Sequence, residues 1–196
     1  MLESFSLPTR AIDRLWAPLC DFVYRRLKIS PNQISVLSFI LGVPSVVLIG
    51  LNEIEWGMFF MFLSQFFDGL DGSMARRFSL VTPFGRRFEV FSDRTIEFLM
   101  FFALAYAGKV TYLETAFAVT AILLVTSLVN RSGFDPGFKR ISLYVGYVIG
   151  FSIAVQLVFI INLAGFVISL LMVDYKVQQE TDRNAIEARN RDPNLR

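Results

Sequence analysis

Residues 68–76 read Asp68-Gly69-Leu70-Asp71-Gly72-Ser73-Met74-Ala75-Arg76. Eight residues later comes Gly85-Arg86-Arg87-Phe88-Glu89-Val90-Phe91-Ser92-Asp93. Four carboxylates and an arginine stand inside or beside strongly apolar segments. Charge within a membrane segment is costly and usually functional. Asp68 and Asp71 are three apart, and Glu89 and Asp93 four apart, so each pair shares one helix face. Two such pairs on adjacent helices would surround one point with four carboxylates. They would repel one another unless a divalent cation lay between them.

The rest of the chain supports a membrane setting. Of its 196 residues 54% are hydrophobic, mean hydropathy is +0.52, and 21 are phenylalanine. That is a membrane composition rather than that of a soluble domain. A single cysteine, Cys20, excludes an internal disulfide, and the absence of histidine excludes histidine catalysis and histidine-ligated metals. A metal site here must use oxygen ligands, which favours Mg²⁺, Mn²⁺ or Ca²⁺. The first 30 residues carry charge throughout, so no cleavable signal peptide is expected.

Residues 9–28 predict an amphipathic helix suited to a membrane surface, with Ala11, Ile12, Leu15, Trp16, Leu19, Phe22 and Val23 as its apolar stripe. Packing against the protein is the alternative. Pro18 is expected to kink it. Ser30-Pro31-Asn32-Gln33 then has the form of a helix start: an N-cap, a first-position proline and a capping-box glutamine.

Spans are expected at 34–51, 56–75, 85–107 and 112–129. Asp135-Pro136-Gly137 marks a turn. Residues 141–173 are uncharged and too long for one crossing, so two short spans are expected, broken near 152–156. Residues 176–196 form a polar tail, part helical and part disordered. The predicted architecture is an all-α integral membrane protein with six transmembrane helices. Residues 1–29 form a juxtamembrane segment, and 30–175 form one membrane domain. Of 19 Lys and Arg residues, only Lys109 falls on the side opposite the basic clusters, which predicts cytoplasmic termini.

The acids would then lie just below the cytosolic interface, where Gly72 and Ala75 let a ligand approach the backbone. Arg76, Arg77, Arg86 and Arg87 surround them and could hold phosphates. Metal with arginine around a phosphate is the equipment of phosphoryl transfer. Two alternatives remain open: a cation transporter, and a nucleotide-binding scaffold of little activity. Against the transporter, the acids sit near one membrane face and no inverted repeat is visible.

The long motif resembles that of the CDP-alcohol phosphotransferases, Asp-x2-Asp-Gly-x2-Ala-Arg-x8-Gly-x3-Asp-x3-Asp. Asp68, Asp71, Gly72, Ala75, Arg76, Gly85 and Asp93 match it, and the eight-residue gap is kept. Glu89 departs, standing where the family has Asp. The resemblance implies transfer of a substituted phosphoryl group from a CDP-linked donor, expected to be a lipid, to an alcohol, with release of CMP. It implies that Asp68, Asp71, Glu89 and Asp93 bind one or two Mg²⁺ or Mn²⁺ ions. Gly72 and Ala75 would make room for cytidine, Arg76 would neutralise phosphate, and Gly85 belongs to the nucleotide-binding set. Asp93 would deprotonate the acceptor. Arg131, Lys139 and Arg140 resemble the basic pocket of members that use inositol phosphate, although topology alone could explain them.

Three further expectations complete the reading. Glu97 is expected to pair with an arginine for structure. Gly146-x3-Gly150-x3-Ala154 is expected to pack helices, within the monomer or in a homodimer. The setting is a multi-pass cell-membrane protein with no nucleic-acid partner and a cytoplasmic site.

Overall fold

The computed structural model describes residues 6–191. It omits the side chains of 6–12, Asn130 and 185–191, so Ala11 and Ile12 of the stripe and the last five residues of the tail lie outside what is described. The described residues form helices and connections with no strand. In order these are α1 (Ser6–Asp21), a π-helical turn (Phe22–Arg26), α2 (Pro31–Gly50), α3 (Ile54–Arg77), α4 (Pro83–Tyr106), α5 (Tyr112–Ser132), α6 (Ile141–Ile149) and α7 (Phe151–Arg191). They fall into two compact units, one ending at Gly108 and one starting at Lys109.

In the first unit α2 begins as its sequence predicts. Gln33 N–H donates to Ser30 Oγ at 3.4 Å, Ser30 N–H donates to Gln33 Oε1 at 2.8 Å, and Pro31 occupies the first turn. α2 packs closely on α3 because small residues line the seam. Ser38 Oγ donates to the Ser64 carbonyl and Ser45 Oγ to the Gly57 carbonyl, both at 2.8 Å. A Cβ on Gly57 would stand 2.6 Å from Ile49 Cγ1, so only glycine allows this approach. Outward side chains such as Ile40, Val47, Phe59 and Phe62 are exposed and apolar, a surface suited to lipid.

α1 reads differently from a purely interfacial helix. Trp16 meets Phe66 edge-on at 4.7 Å, and Cys20 and Val23 are buried with Leu70 and Met74 of α3. Leu15 and Phe22 of the predicted stripe stay exposed. One face of this segment thus packs on protein, while another keeps apolar side chains exposed. Helix α1 runs through Pro18, and the π-helical turn begins four residues later.

In the second unit the Thr111–Glu114 capping box opens α5. Glu114 also accepts from Ser152, and from Gln156 Nε2 at 3.0 Å, joining α5 to α7. The expected turn is present: Gly137 N–H donates to Asp135 Oδ1 at 3.0 Å, and Pro136 packs on Gly165.

The expected break at 152–156 is corrected to Gly150, whose φ of 102° ends α6 and which only glycine adopts readily. Gly146 faces Phe151 and Ala154 across this break, so the small-residue stripe packs α6 on α7 rather than running along one helix. At nine residues α6 is about 14 Å long, short of a crossing. α7, with 41 residues, carries the remaining apolar run and part of the polar tail.

Among the described residues three helical segments are long and apolar enough to cross a membrane: Pro31–Gly50, Tyr112–Val129 and Phe151–Asn184. α3 and α4 have the length, 24 residues each, but carry the motif charges.

Candidate active site

The two halves of the motif sit on adjacent helix ends of the first unit. α3 brings Asp68 to Arg76 along its last turns. Thr82 then caps α4, accepting from Gly85 N–H at 3.0 Å, with Pro83 in the first turn. The start of α2 closes the third side. Between them lies a cleft of about 260 Å³. Asp71, Gly72, Ala75, Arg76, Gly85 and Glu89 line it together with Pro31, Asn32, Ser35, Thr82 and Arg86.

The motif glycines are explained by close approach. A Cβ on Gly85 would lie 2.8 Å from Asn32 Oδ1 and 3.1 Å from Thr82 Oγ1. Gly85 therefore seats the entry of α4 against α2, and its place in the wall follows from that packing. A Cβ on Gly72 would lie 3.2 Å from Arg76 Nη1, so the missing side chain leaves room for the guanidinium.

Asp71 is buried, and its Oδ2 is enclosed with no hydrogen-bond partner. Such an atom is costly unless something outside the chain satisfies it. Glu89 stands at the exposed rim. Asp93 and Glu89 both act electrostatically on Asp71, and Arg76 lies in the field of Asp71 and Glu89. Asp68 and Asp93 are half-buried and do not line the cleft.

No group of three acids able to hold a metal ion is assembled among the described residues. Like carboxylates repel, so their side chains converge only against a cation. The all-oxygen donors and the orphaned Asp71 Oδ2 fit a hard divalent ion.

The remaining candidates divide. Glu97 pairs with Arg94, Nη1 to Oε2 at 2.6 Å, the structural role its position suggests. In the second unit Lys139 is buried and its Nζ donates to both oxygens of Asp135 at 2.8 Å. That commitment argues against Lys139 as a direct acceptor contact. Arg131 is exposed at the end of α5, and Arg140 is half-buried just before α6.

Sequence reasoning missed Ser35 and Thr82 as walls, and missed Asp13 and Asp21, which bind Arg76 and Arg77. Arg77 is thereby engaged away from the cleft. α1 had the right polar spacing, but nothing in its sequence tells which arginine each aspartate meets.

A cleft at helix ends lined by carboxylates and a guanidinium has the groups needed to hold a phosphate through a divalent cation. A family model, CDP-alcohol phosphatidyltransferase, matches residues 28–173. The chain belongs to that family, whose members are transferases of phosphate-linked groups.

Over 78 residues it is 35% identical to the bifunctional IPC transferase and DIPP synthase of Aquifex aeolicus (strain VF5), which is 40% of this chain and 18% of that relative. The match thus spans about a fifth of that curated protein's length. The fold is similar to solved structures of Mycobacterium tuberculosis phosphatidylinositol phosphate synthase. The structure with CDP-DAG bound has a TM-score of 0.68 at 18% identity, covering 82% of this chain and 94% of that one. The structure with manganese and citrate has a TM-score of 0.66 at 17% identity, covering 81% and 88%.

Proposed function

We propose that this chain moves a substituted phosphoryl group from a CDP-linked lipid to the hydroxyl of a polar, phosphorylated alcohol such as inositol phosphate or glycerol phosphate. CMP is released and a phospholipid headgroup is installed. The observation that carries this reading is the convergence of six motif residues on one cleft around the unpartnered Asp71 Oδ2. Family membership supports the reaction type, and the mycobacterial synthase with CDP-DAG bound supports the donor class.

Asp68, Asp71, Glu89 and Asp93 would hold one or two Mg²⁺ or Mn²⁺ ions, an assignment supported by the mycobacterial structure with manganese. Bound there, the metal supplies charge neutralisation at the donor diphosphate. Arg76 adds a charge-assisted contact to a phosphate oxygen. Ala75 and the backbone at Gly72 border the space for the cytidine end, beside the Arg76 guanidinium that lies over Gly72. Asp93 accepts the proton of the acceptor hydroxyl, a role a carboxylate can fill. The acceptor oxygen then bonds to the phosphorus next to the lipid, the anhydride bond breaks, and CMP leaves with the electron pair. Arg131 and Arg140 receive the acceptor's own phosphate, with Lys139 and Asp135 bracing the loop.

In this reading residues 30–175 form a six-helix membrane domain, α2 to α7, with the N-terminus and the cleft on the cytoplasmic side of the cell membrane, as the basic clusters before α2 and between α3 and α4 indicate. The protein is taken to act as a homodimer.

The test is direct. Purified protein in detergent is given CDP-diacylglycerol, Mg²⁺ or Mn²⁺, and a panel of alcohols, and CMP is followed by mass spectrometry. CMP release that depends on one phosphorylated alcohol supports the reading. No CMP with any acceptor overturns it.

A further inference from the structure

The motif arginine is held from outside the segment that the family model matches. Asp13 of α1 precedes residues 28–173, yet its carboxylate grips Arg76 by a two-bond fork. Arg76 Nε donates to Asp13 Oδ2 at 3.1 Å, and Nη2 donates to Oδ1 at 2.8 Å. Nη2 also donates to Ser73 Oγ at 3.3 Å. One edge of the guanidinium is thus fully used.

The other nitrogen, Nη1, makes no hydrogen bond to the described residues and lies over Gly72, in the wall of the cleft. A guanidinium is rigid and planar, so fixing its Nε–Nη2 edge also fixes where Nη1 points.

We propose that Asp13 is a positioning residue that turns the Nη1 edge of Arg76 toward the donor's diphosphate. A second fork on the same helix provides the natural control. Arg77 donates to Asp21 through Nε at 3.2 Å and Nη2 at 2.7 Å, and Asp21 lies eight residues along α1 from Asp13. Both forks dock α1 on α3, but only one acts on a cleft residue. Isolated surface ion pairs contribute little to stability. The aromatic and apolar packing of Trp16, Cys20 and Val23 should therefore keep α1 in place when either fork is removed.

The inference rests on the proposed phosphate-binding role of the cleft, so its test is read by binding as well as by turnover. Full-length wild-type, Asp13→Asn, Asp13→Glu and Asp21→Asn proteins are compared for CDP affinity with Mg²⁺ by calorimetry, with melting temperature as the check on folding. Asp13→Asn should weaken CDP binding about tenfold or more, the loss of one well-placed charged contact. Asp13→Glu should recover part of that loss. Asp21→Asn should change affinity less than about twofold, as an exposed pair remote from the ligand would. In an Arg76→Ala background, Asp13→Asn should have no further effect.

Equal effects of Asp13→Asn and Asp21→Asn would reduce Asp13 to a docking contact and overturn the inference. Unchanged affinity in Asp13→Asn overturns it as well. The expected binding pattern without CMP release would uphold the inference while the transferase reading fails. No CDP binding by the wild type overturns both.

Discussion

Replacing Gly85 by Ala separates packing from chemistry at the site. The new Cβ would sit 2.8 Å from Asn32 Oδ1, about 0.6 Å inside ordinary contact, and 3.1 Å from the Thr82 hydroxyl that caps α4. Asn32 must rotate or α4 must move away from α2. Overpacking costs about 1–3 kcal/mol, and a disturbed cap about 1 kcal/mol. Against this, Ala is favoured over Gly within a helix by up to about 1 kcal/mol. The net loss of stability is therefore about 1–3 kcal/mol, and the melting temperature in detergent should fall by about 2–12 degrees.

Activity should respond more strongly. Glu89 lies one helical turn beyond Gly85, so a shift of about half an ångström at the start of α4 is passed to a proposed ligand. Displacements near 1 Å can cost about a hundredfold, so kcat/KM for CMP release should fall about tenfold. Unchanged kcat/KM, with the variant confirmed folded, would refute the argument that this contact sets the cleft's geometry. A melting temperature lowered by tens of degrees would refute the energy balance.

Other outcomes follow from the same geometry. Glu89→Asp restores the motif's shorter carboxylate and should equal or exceed the native turnover at saturating Mg²⁺; a clear loss would establish Glu89 as a ligand to which the rim has adapted. Arg140→Ala should raise the acceptor KM about 10- to 150-fold with the donor KM little changed, the effect of losing a contact of about 1.5–3 kcal/mol; equal change in both would return Arg140 to topology. The hydrogen-bonded guanidinium of Arg76 holds the Asp13 carboxyl below its ordinary range. The fork's contribution is therefore complete above about pH 4 and lost as pH falls through the lower folded-state value. Because an exposed fork contributes at most about 1 kcal/mol, hydrogen exchange in α1, corrected for intrinsic rate, should speed by no more than about fivefold from pH 6 to pH 3, whereas a larger loss of protection would show that the fork rather than the apolar packing holds α1.

The motif and the start of α2 were legible because their signals are local. Asp68 to Asp93 carries its chemistry in fixed spacings, and Ser30, Pro31 and Gln33 specify a helix start within four residues. The break between α6 and α7 was misplaced because polar Ser152 and Gln156 suggested a loop. Those side chains instead meet Glu114 of α5, while Gly150 alone tolerates the backbone angle required. The partners of Arg76 and Arg77 were not legible at all. They lie 63 and 56 residues away, and only packing of Trp16 and Cys20 against α3 sets which aspartate meets which arginine. Lys139 looked like a phosphate ligand by charge, but Asp135 four residues earlier had already claimed it.

The central claim is that the cleft around Asp71 performs metal-dependent phosphoryl transfer. The most direct measurement is CMP release from CDP-diacylglycerol by wild type and Asp71→Asn, each titrated with Mg²⁺ and then treated with excess EDTA. Turnover should rise with Mg²⁺, vanish in EDTA, and be lost in Asp71→Asn although that variant remains folded. Full turnover in excess chelator, or native turnover in Asp71→Asn, would contradict the account.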